Sequence, residues 1–312
     1  MVRKPAYAKL LEGMAPEVGN VPAFQAALVE AQQSGNVWYV DSVNGNDTDN
    51  DGTTLDQAYA TIAVAVAAAA AYDTIFIRGS FSEAVTVALA GLRIVGLGTT
   101  PKCAQWTADA DADCVTVTAQ HVLLQNIYFR PPAYSADRTT TAIKPNGANY
   151  LRVKGCRFQG KTGSQAAIYS AAANSDNVEI SDCEFQYMNT ATYGAGIRGV
   201  NAGGVQYSGW RILNNVFHGC VTAIKLSCRA ATIVGNTITE YGINPAGAVA
   251  QLLALGIDLS GDDGTNSGAN AVWGNQLGGT YNATLYKVGA SGDQWGGNFN
   301  VITGGLTAAN PA

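Results

Sequence analysis

Charge is scarce in this chain. Only 13% of its 312 residues are Asp, Glu, Lys or Arg, against roughly 25% in ordinary globular domains. The 18 basic and 23 acidic side chains leave a net charge of −5. That balance offers no basic footprint, so nucleic acid is not an expected partner. Long apolar runs are missing too. The longest, residues 62–71, is far shorter than a membrane span requires, and no membrane association is expected. Met1-Val2-Arg3-Lys4 supplies positive charge, but Glu12, Pro16 and Glu17 break up any apolar run after it, so no secretory leader is expected. The two histidines, His121 and His218, stand far apart, and the six cysteines contain no CxxC spacing. Neither a zinc site nor a recognised disulfide framework is expected. Cys103, Cys114, Cys156, Cys183, Cys220 and Cys228 are read as mostly reduced thiols, with Cys220 and Cys228 able to meet across one strand. An apolar content of 47% argues against disorder.

Between residues 88 and 302 nothing has helical length or a 3.6-residue stripe. That region carries a repeated phrase. A small residue and an aliphatic come first: Ala142-Ile143, Ala167-Ile168, Gly196-Ile197, Ala223-Ile224 and Gly256-Ile257. A variable stretch comes next, then Val153-x-Gly155-Cys156-x-Phe158, Ile180-x-Asp182-Cys183-x-Phe185, Ile212-x-Asn214-Asn215-x-Phe217, Ile233-x-Gly235-Asn236-x-Ile238 or Val272-x-Gly274-Asn275-x-Leu277. An earlier copy reads Cys114-Val115, then Leu124-x-Asn126-Ile127-x-Phe129. The closing apolar residues recur every 21 to 39 positions, and such self-similarity marks a repeat whose single unit cannot bury its own apolar face. Five residues with two turn-formers between the apolar positions spell strand, tight bend, strand. Without crossover helices, parallel strands of this kind need a closed solenoid. About eight coils at ~4.8 Å per rung would build a rod near ~40 Å long. At the bend, stacked Asn215, Asn236, Asn275 and Asn298 can hydrogen-bond along the ladder, and Cys156 and Cys183 are small enough to take the same place.

The N-terminal third differs. Residues 7–14 and 22–33 read as short amphipathic helices, with Phe24, Ala27, Leu28 and Ala31 on one face, Pro22 at the start and Gly35 at the stop. Residues 1–36 thus form a helical arm that tethers the rod or docks it to another protein. Beyond it stand Trp38-Tyr39-Val40-Asp41, Asn44-Gly45-Asn46-Asp47, Asp51-Gly52-Thr53, Ala58-Tyr59-Ala60-Thr61-Ile62, an Ala-rich helix over residues 61–71, Asp73-Thr74-Ile75-Phe76-Ile77 and Phe81-x-Glu83-x-Val85. This stretch resembles the opening module of the pectin-lyase-like right-handed β-helix superfamily, where a strand, a Gly/Asp loop and a capping helix precede the first coil. The resemblance implies an all-β fold, a right-handed single-stranded parallel β-helix. It assigns residues 37–87 to the capping module, 88–302 to the coils and 303–312 to a tail. A solenoid end exposes unpaired ladder groups, and the helix is expected to cover them.

Asp47-x-Asp49-x-Asp51-Gly52 matches the first half of a calcium loop, with alternate carboxylates and a turn glycine, but the twelfth position is Ala58. A solvated turn and a calcium site are the two readings. Catalysis has weaker support. Glycoside hydrolysis needs two carboxylates roughly 5–10 Å apart. Glu179 falls between Arg152 and Arg211 of neighbouring coils, an exposed charge ladder, and Asp182 aligns with Gly155 and Asn214 at a corner. Asp258, Asp262 and Asp263 sit in a Gly-rich loop. No lyase motif of the superfamily transfers to these positions, so no catalytic residue and no organic cofactor is assigned. The superfamily includes phage head and tail proteins without chemistry, as well as polysaccharide lyases and hydrolases. The expectation is a non-enzymatic structural protein of a tailed-bacteriophage virion, located at the particle surface, homotrimeric, anchored to other virion proteins through residues 1–36. The alternative is a polysaccharide-binding or polysaccharide-degrading spike. In it Tyr134, Tyr169, Tyr187, Tyr193, Tyr207, Trp273 and Trp295 are the candidates to stack on sugars of a host surface, near insertions at residues 131–141 and 239–256, although packing under loops or between protomers is the favoured reading for many of them.

Overall fold

Residues with β-branched and aromatic side chains alternate with polar ones over three to five positions, then a residue able to turn left intervenes. That grammar builds coils. A computed structural model describes residues 35–108, 112–130, 140–160, 166–170, 175–188, 194–200, 207–239, 255–259, 268–278, 286–287, 292–300 and 305–306. The chain divides into two units, Met1–Gly35 and Asn36–Ala312. The expected helical arm therefore lies outside the described residues, save its last positions.

Each complete coil of the second unit contributes one strand to each of three sheets. Sheet 1 includes Arg93–Gly96, Leu123–Gln125, Arg152–Lys154, Glu179–Ser181, Arg211–Leu213, Thr232–Val234, Ala271–Trp273 and Gln294–Gly296. Sheet 2 includes Ala104–Thr107, Tyr128–Phe129, Arg157–Gln159, Glu184–Gln186, Val216–His218, Thr237–Thr239 and Gln276–Leu277. Sheet 3 is eight-stranded and includes Val85–Val87, Val115–Val117, Ile143–Pro145, Ile168–Ser170, Ala195–Gly199, Thr222–Leu226 and Leu255–Asp258. The long strand Thr74–Ser82 starts in sheet 1 and ends in sheet 2. All these pairings are parallel, and the molecule is a parallel β-helix. A final short strand, Gly305–Leu306, runs antiparallel to Phe299–Asn300.

Register obeys the repeated phrase. Ile143, Ile168, Ile197, Ile224 and Ile257 lie side by side in sheet 3. In sheet 2, Trp106, Phe129, Phe158, Phe185, Phe217, Ile238 and Leu277 form one inward column. The Phe158 and Phe185 rings stack at 4.7 Å and 4°, and Phe185 and Phe217 at 4.7 Å and 7°. All three phenylalanines are fully buried; each such side chain contributes about 1.5–3 kcal/mol by leaving water.

Two corners per coil turn through the left-handed region. Between sheets 1 and 2 it is occupied by Asn126, Gly155, Asp182, Asn214, Gly235, Gly274 and Gly297, with φ from 55° to 69°. These are the residue types that tolerate it. The next residue points inward and forms the expected ladder. Asn215 donates its N–H and Nδ2 to Asn236 Oδ1, Asn236 repeats this to Asn275, and Asn275 to Asn298, all at 2.9–3.0 Å. Cys183 and Cys156 continue the column: the Cys183 N–H donates to Asn215 Oδ1, and the Cys156 N–H to Cys183 Sγ. All six cysteines are free, so Cys220 and Cys228 do not pair.

The Ala-rich helix, α1, spans Ile62–Ala68 rather than residues 61–71. Thr61 is its N-cap. It ends early because buried Asp73 takes hydrogen bonds from the N–H groups of Ala70 and Asn36 and from Trp38 Nε1, pulling residue 70 out of helical geometry. α1 packs on strands Val37–Asp41, Thr74–Ser82 and Val85–Val87 and buries Ile62 and Ala65.

Candidate functional site

In a β-strand the residue after an inward one points out. Applied to sheet 3, each aliphatic of the small-aliphatic phrase is succeeded by an outward side chain, and the parallel register stacks them. The column reads Thr86, Thr116, Lys144, Tyr169, Arg198, Lys225 and Asp258. Arg198 lies over the Tyr169 ring, its Cζ 5.2 Å from the centroid, which fixes the plane of the guanidinium. Lys225 Nζ is 3.8 Å from Asp258 Oδ2, and Lys144 Nζ is 3.2 Å from Asp113 Oδ2. Asp113 is itself held by the N–H of Thr141 at 2.7 Å. At the N-terminal end of the column, Thr86, Asp113, Thr116, Thr140 and Lys144 line a cleft of about 370 Å³. Among the described residues this face carries three cations and two carboxylates.

Such a column presents cations and an aromatic at a repeat of ~4.8 Å, parallel to the solenoid axis. Arg198 and Asp258 are buried, 5% and 3% exposed, so what the column offers an extended ligand with anionic groups at intervals is Lys144, Tyr169 and Lys225, with Asp113 as an acceptor for hydroxyls. It does not suit glycosidic hydrolysis by those two acids. Asp113 stands beside Lys144, and Asp258 is four rungs further on, about 19 Å, beyond the ~5–10 Å that the chemistry needs.

The other candidate residues fall elsewhere. Arg152, Glu179 and Arg211 are neighbours in register on sheet 1, and Arg211 Nη1 meets Glu179 Oε2 at 2.8 Å, the expected charge ladder. Asp182 occupies a corner at φ 57°. Asp262 and Asp263 lie outside the described residues, as do Tyr134, Tyr193 and most of both insertions. Tyr187, Tyr207 and Trp295 are buried, which fits packing and not sugar stacking. Trp295 extends the inward column of sheet 1 beside Val272, and Tyr207 packs against Trp210. Trp273 is exposed on the outer face of sheet 1, its ring lying over Gly296.

Asp47, Asp49 and Asp51 share one loop but do not fit one shared cation. Asp47 Oδ1 accepts the N–H groups of Ala60 and Thr61, and its Oδ2 accepts Thr61 Oγ1–H. Asp49 accepts from Asn46 Nδ2, and Asp51 from the N–H and hydroxyl of Thr53. Among the described residues no three His, Cys, Asp or Glu side chains are grouped to hold a metal. Asp47, Thr61 and Glu83 instead gather at the start of α1, where Glu83 accepts the N–H groups of Ile62 and Ala63 at 2.9 Å.

Sheet 2 carries a second polar face. Arg157 Nε lies 3.3 Å from Glu184 Oε2, its Nη2 donates to Gln186 Oε1, and its guanidinium stands over Tyr128. His218 Nδ1 is 2.7 Å from Thr239 Oγ1. Burial pushes the His218 pKa down, against the pull of Glu184. Apart from Arg157 Nε, which is buried without a hydrogen bond of its own, these groups satisfy one another, so this face reads as a stabilising network.

No family model and no curated protein matches the chain. Solved structures do. A rhamnogalacturonan lyase is 15% identical at a TM-score of 0.59, over 80% of this chain and 69% of that one. The GH136 lacto-N-biosidase from Eubacterium ramulus is 13% identical at 0.63, over 88% of this chain but 57% of the enzyme. A mutant pectin methylesterase in complex with a hexasaccharide is 12% identical at 0.52, over 81% and 80%. The structural neighbours are thus polysaccharide-lyase-like parallel β-helix proteins. At such identities the likeness is one of fold.

Proposed function

We propose that this chain is an adhesion protein whose sheet-3 face holds an acidic polysaccharide along the solenoid axis without cleaving it. The observation that carries the reading is the register column in which Lys144, Tyr169 and Lys225 are part-exposed, with buried Arg198 seated on the Tyr169 ring between them. The polysaccharide enzymes among its structural neighbours support a glycan as ligand class. We further propose display of the rod at the surface of a tailed-bacteriophage particle as a homotrimer, held there by residues 1–36, whose composition differs from the coils.

The test is surface plasmon resonance of the full chain on immobilised polygalacturonate and alginate. Binding should weaken with salt, and the K144Q/K225Q double variant, which removes the two part-exposed cations, should lose about tenfold per cation removed. No binding to either polymer, or undiminished binding by the variant, refutes the ligand. Release of unsaturated or reducing ends refutes the non-catalytic part. Particles that retain the chain after deletion of residues 1–36 refute the anchor.

A further inference from the structure

The outward column of sheet 3 changes character at its first rungs. From Lys144 onward it carries charge and an aromatic, but on the two rungs before it Thr116 and Thr86 hold the same phase. Val85–Val87 is the edge strand of the sheet, so the column ends at Thr86. Over these rungs, about 10 Å along the axis, the surface folds into the cleft of about 370 Å³, a volume within the ~300–1,000 Å³ of small-molecule sites. Ala84, Val85 and Ala112 give the cleft apolar surface, and Thr86, Thr116 and Thr140 give it hydroxyls. Asp113 is fixed there by the Thr141 N–H at 2.7 Å and by Lys144 Nζ at 3.2 Å. An ammonium carries three donors, so Lys144, its side chain 37% exposed, can meet a ligand carboxylate while it keeps Asp113. Thr140 Oγ1 is buried and makes no hydrogen bond. Folded chains seldom leave such a hydroxyl unpaired, since it has lost water without gaining a partner. Packing of the coils does not explain it; a ligand hydroxyl brought into the cleft does.

We propose that this cleft is the subsite for the terminal sugar of the acidic polysaccharide, so that the rod holds a chain by one end and lays the rest along sheet 3 toward Lys225. Resting on the acidic-polymer ligand proposed above, this gives the bound chain a direction. A polymer that follows the column toward the first coil reaches the edge strand at Thr86 and must stop or leave the surface. A terminal unit also differs chemically from an internal one. It has one glycosidic link instead of two, hence one more free hydroxyl to satisfy. Thr86, Thr116, Thr140 and Asp113 offer hydroxyl partners where the charged part of the column gives out. Lys144 meets the carboxylate of the terminal unit, and Ala84, Val85 and Ala112 lie against its C–H surface. A simple anion is disfavoured, because it would engage Lys144 and leave the threonines and the apolar wall without a role.

The test titrates the full chain calorimetrically with trigalacturonate or trimannuronate, matched to whichever polymer binds. Two altered trisaccharides are run beside it, one reduced at its anomeric end and one unsaturated at the other end. At least one of them should bind about tenfold more weakly than the unaltered sugar. T116V/T140V keeps the shape of the cleft and removes two of its hydroxyls. It should bind the trisaccharide about tenfold more weakly, at a melting temperature equal to or above wild type because Thr140 Oγ1 is unpaired in the free protein. T116S/T140S should recover the affinity. Several results overturn the chain-end subsite and leave the acidic-polymer reading standing. They are a bound polymer without a bound trisaccharide, equal affinity for all three trisaccharides, undiminished binding by T116V/T140V, loss in that variant only with a lowered melting temperature, no recovery in T116S/T140S, and displacement of the trisaccharide by equimolar acetate. Failure of wild type to bind polymer and trisaccharide alike removes both.

Discussion

Replacing Asn236 by Ala probes the inner ladder where its geometry is most complete. The side chain makes four hydrogen bonds: Oδ1 accepts the N–H and Nδ2 of Asn215, and Nδ2 donates to Asn275 Oδ1 and the Ile212 carbonyl. Asn236 is fully buried, so water cannot replace these partners. The Asn215 N–H is left with no acceptor, a penalty of about 1–3 kcal/mol, and the lost neighbours of the Ile212 and Asn275 oxygens add about 1 kcal/mol. Together with the small cavity, N236A should cost about 3 kcal/mol in urea unfolding monitored by circular dichroism at unchanged m-value. The protein contains its own control. Cys183 occupies the equivalent place, accepting the Cys156 N–H at 3.4 Å and donating to the Ser181 carbonyl at 3.2 Å. N236C should therefore cost about half as much as N236A, since sulfur bonds are longer and weaker. A loss below about 0.5 kcal/mol for N236A, or equal losses for the two variants, refutes the ladder as a stabilising element.

Thiol reactivity should be confined to one site. Cys103 is exposed, whereas burial pushes the Cys114, Cys220 and Cys228 thiols up to about 12 and raises Cys183 as well. A native-state titration with a disulfide reagent should label Cys103 quickly and the other five only on unfolding. The depressed His218 pKa means that the unfolded chain takes up a proton there before the folded one does. Stability supplied by neutral His218 is present above about pH 6.5 and is lost as pH falls through the lower folded value. H218Q should flatten that part of the pH–stability curve, as read by melting temperature. At the start of α1, D47A removes acceptors for two N–H groups and a hydroxyl, and should lower stability by about 1–2 kcal/mol without any calcium-dependent melting shift in wild type.

Much of this architecture is legible in residue order because a parallel solenoid repeats its solutions. The small-aliphatic pairs, the Asn/Cys position and the closing aromatics each become one register column, and Arg152, Glu179 and Arg211 align as their spacing implies. The helix is shorter than its composition suggests because its stop comes from Asp73, a tertiary hydrogen bond with no local signature. Tyr207 and Trp295 join the core and Tyr187 is buried, and which aromatics would pack is not readable beforehand because a polar-tipped ring carries no mark of which way its strand faces. The candidate site is present at a fixed phase: Lys144, Tyr169, Arg198, Lys225 and Asp258 each come directly after the aliphatic of the repeated phrase. A criterion of paired carboxylates passes over it, since a binding column of mixed cations and one aromatic has no motif until the rungs are stacked. The aspartates of the Gly/Asp loop carry two readings in the sequence, a solvated turn and a calcium loop. Their alternation resembles a calcium loop, but each satisfies its own local donors.

Lysine footprinting tests the account most directly. Acetylation of the full chain, with and without polygalacturonate and read by mass spectrometry, should show Lys144 and Lys225 protected together by the polymer, while exposed Lys102, away from sheet 3, stays equally reactive. Unchanged modification of Lys144 and Lys225 in the presence of bound polymer, or protection centred on another face, would contradict the claim that the sheet-3 column is where the ligand lies.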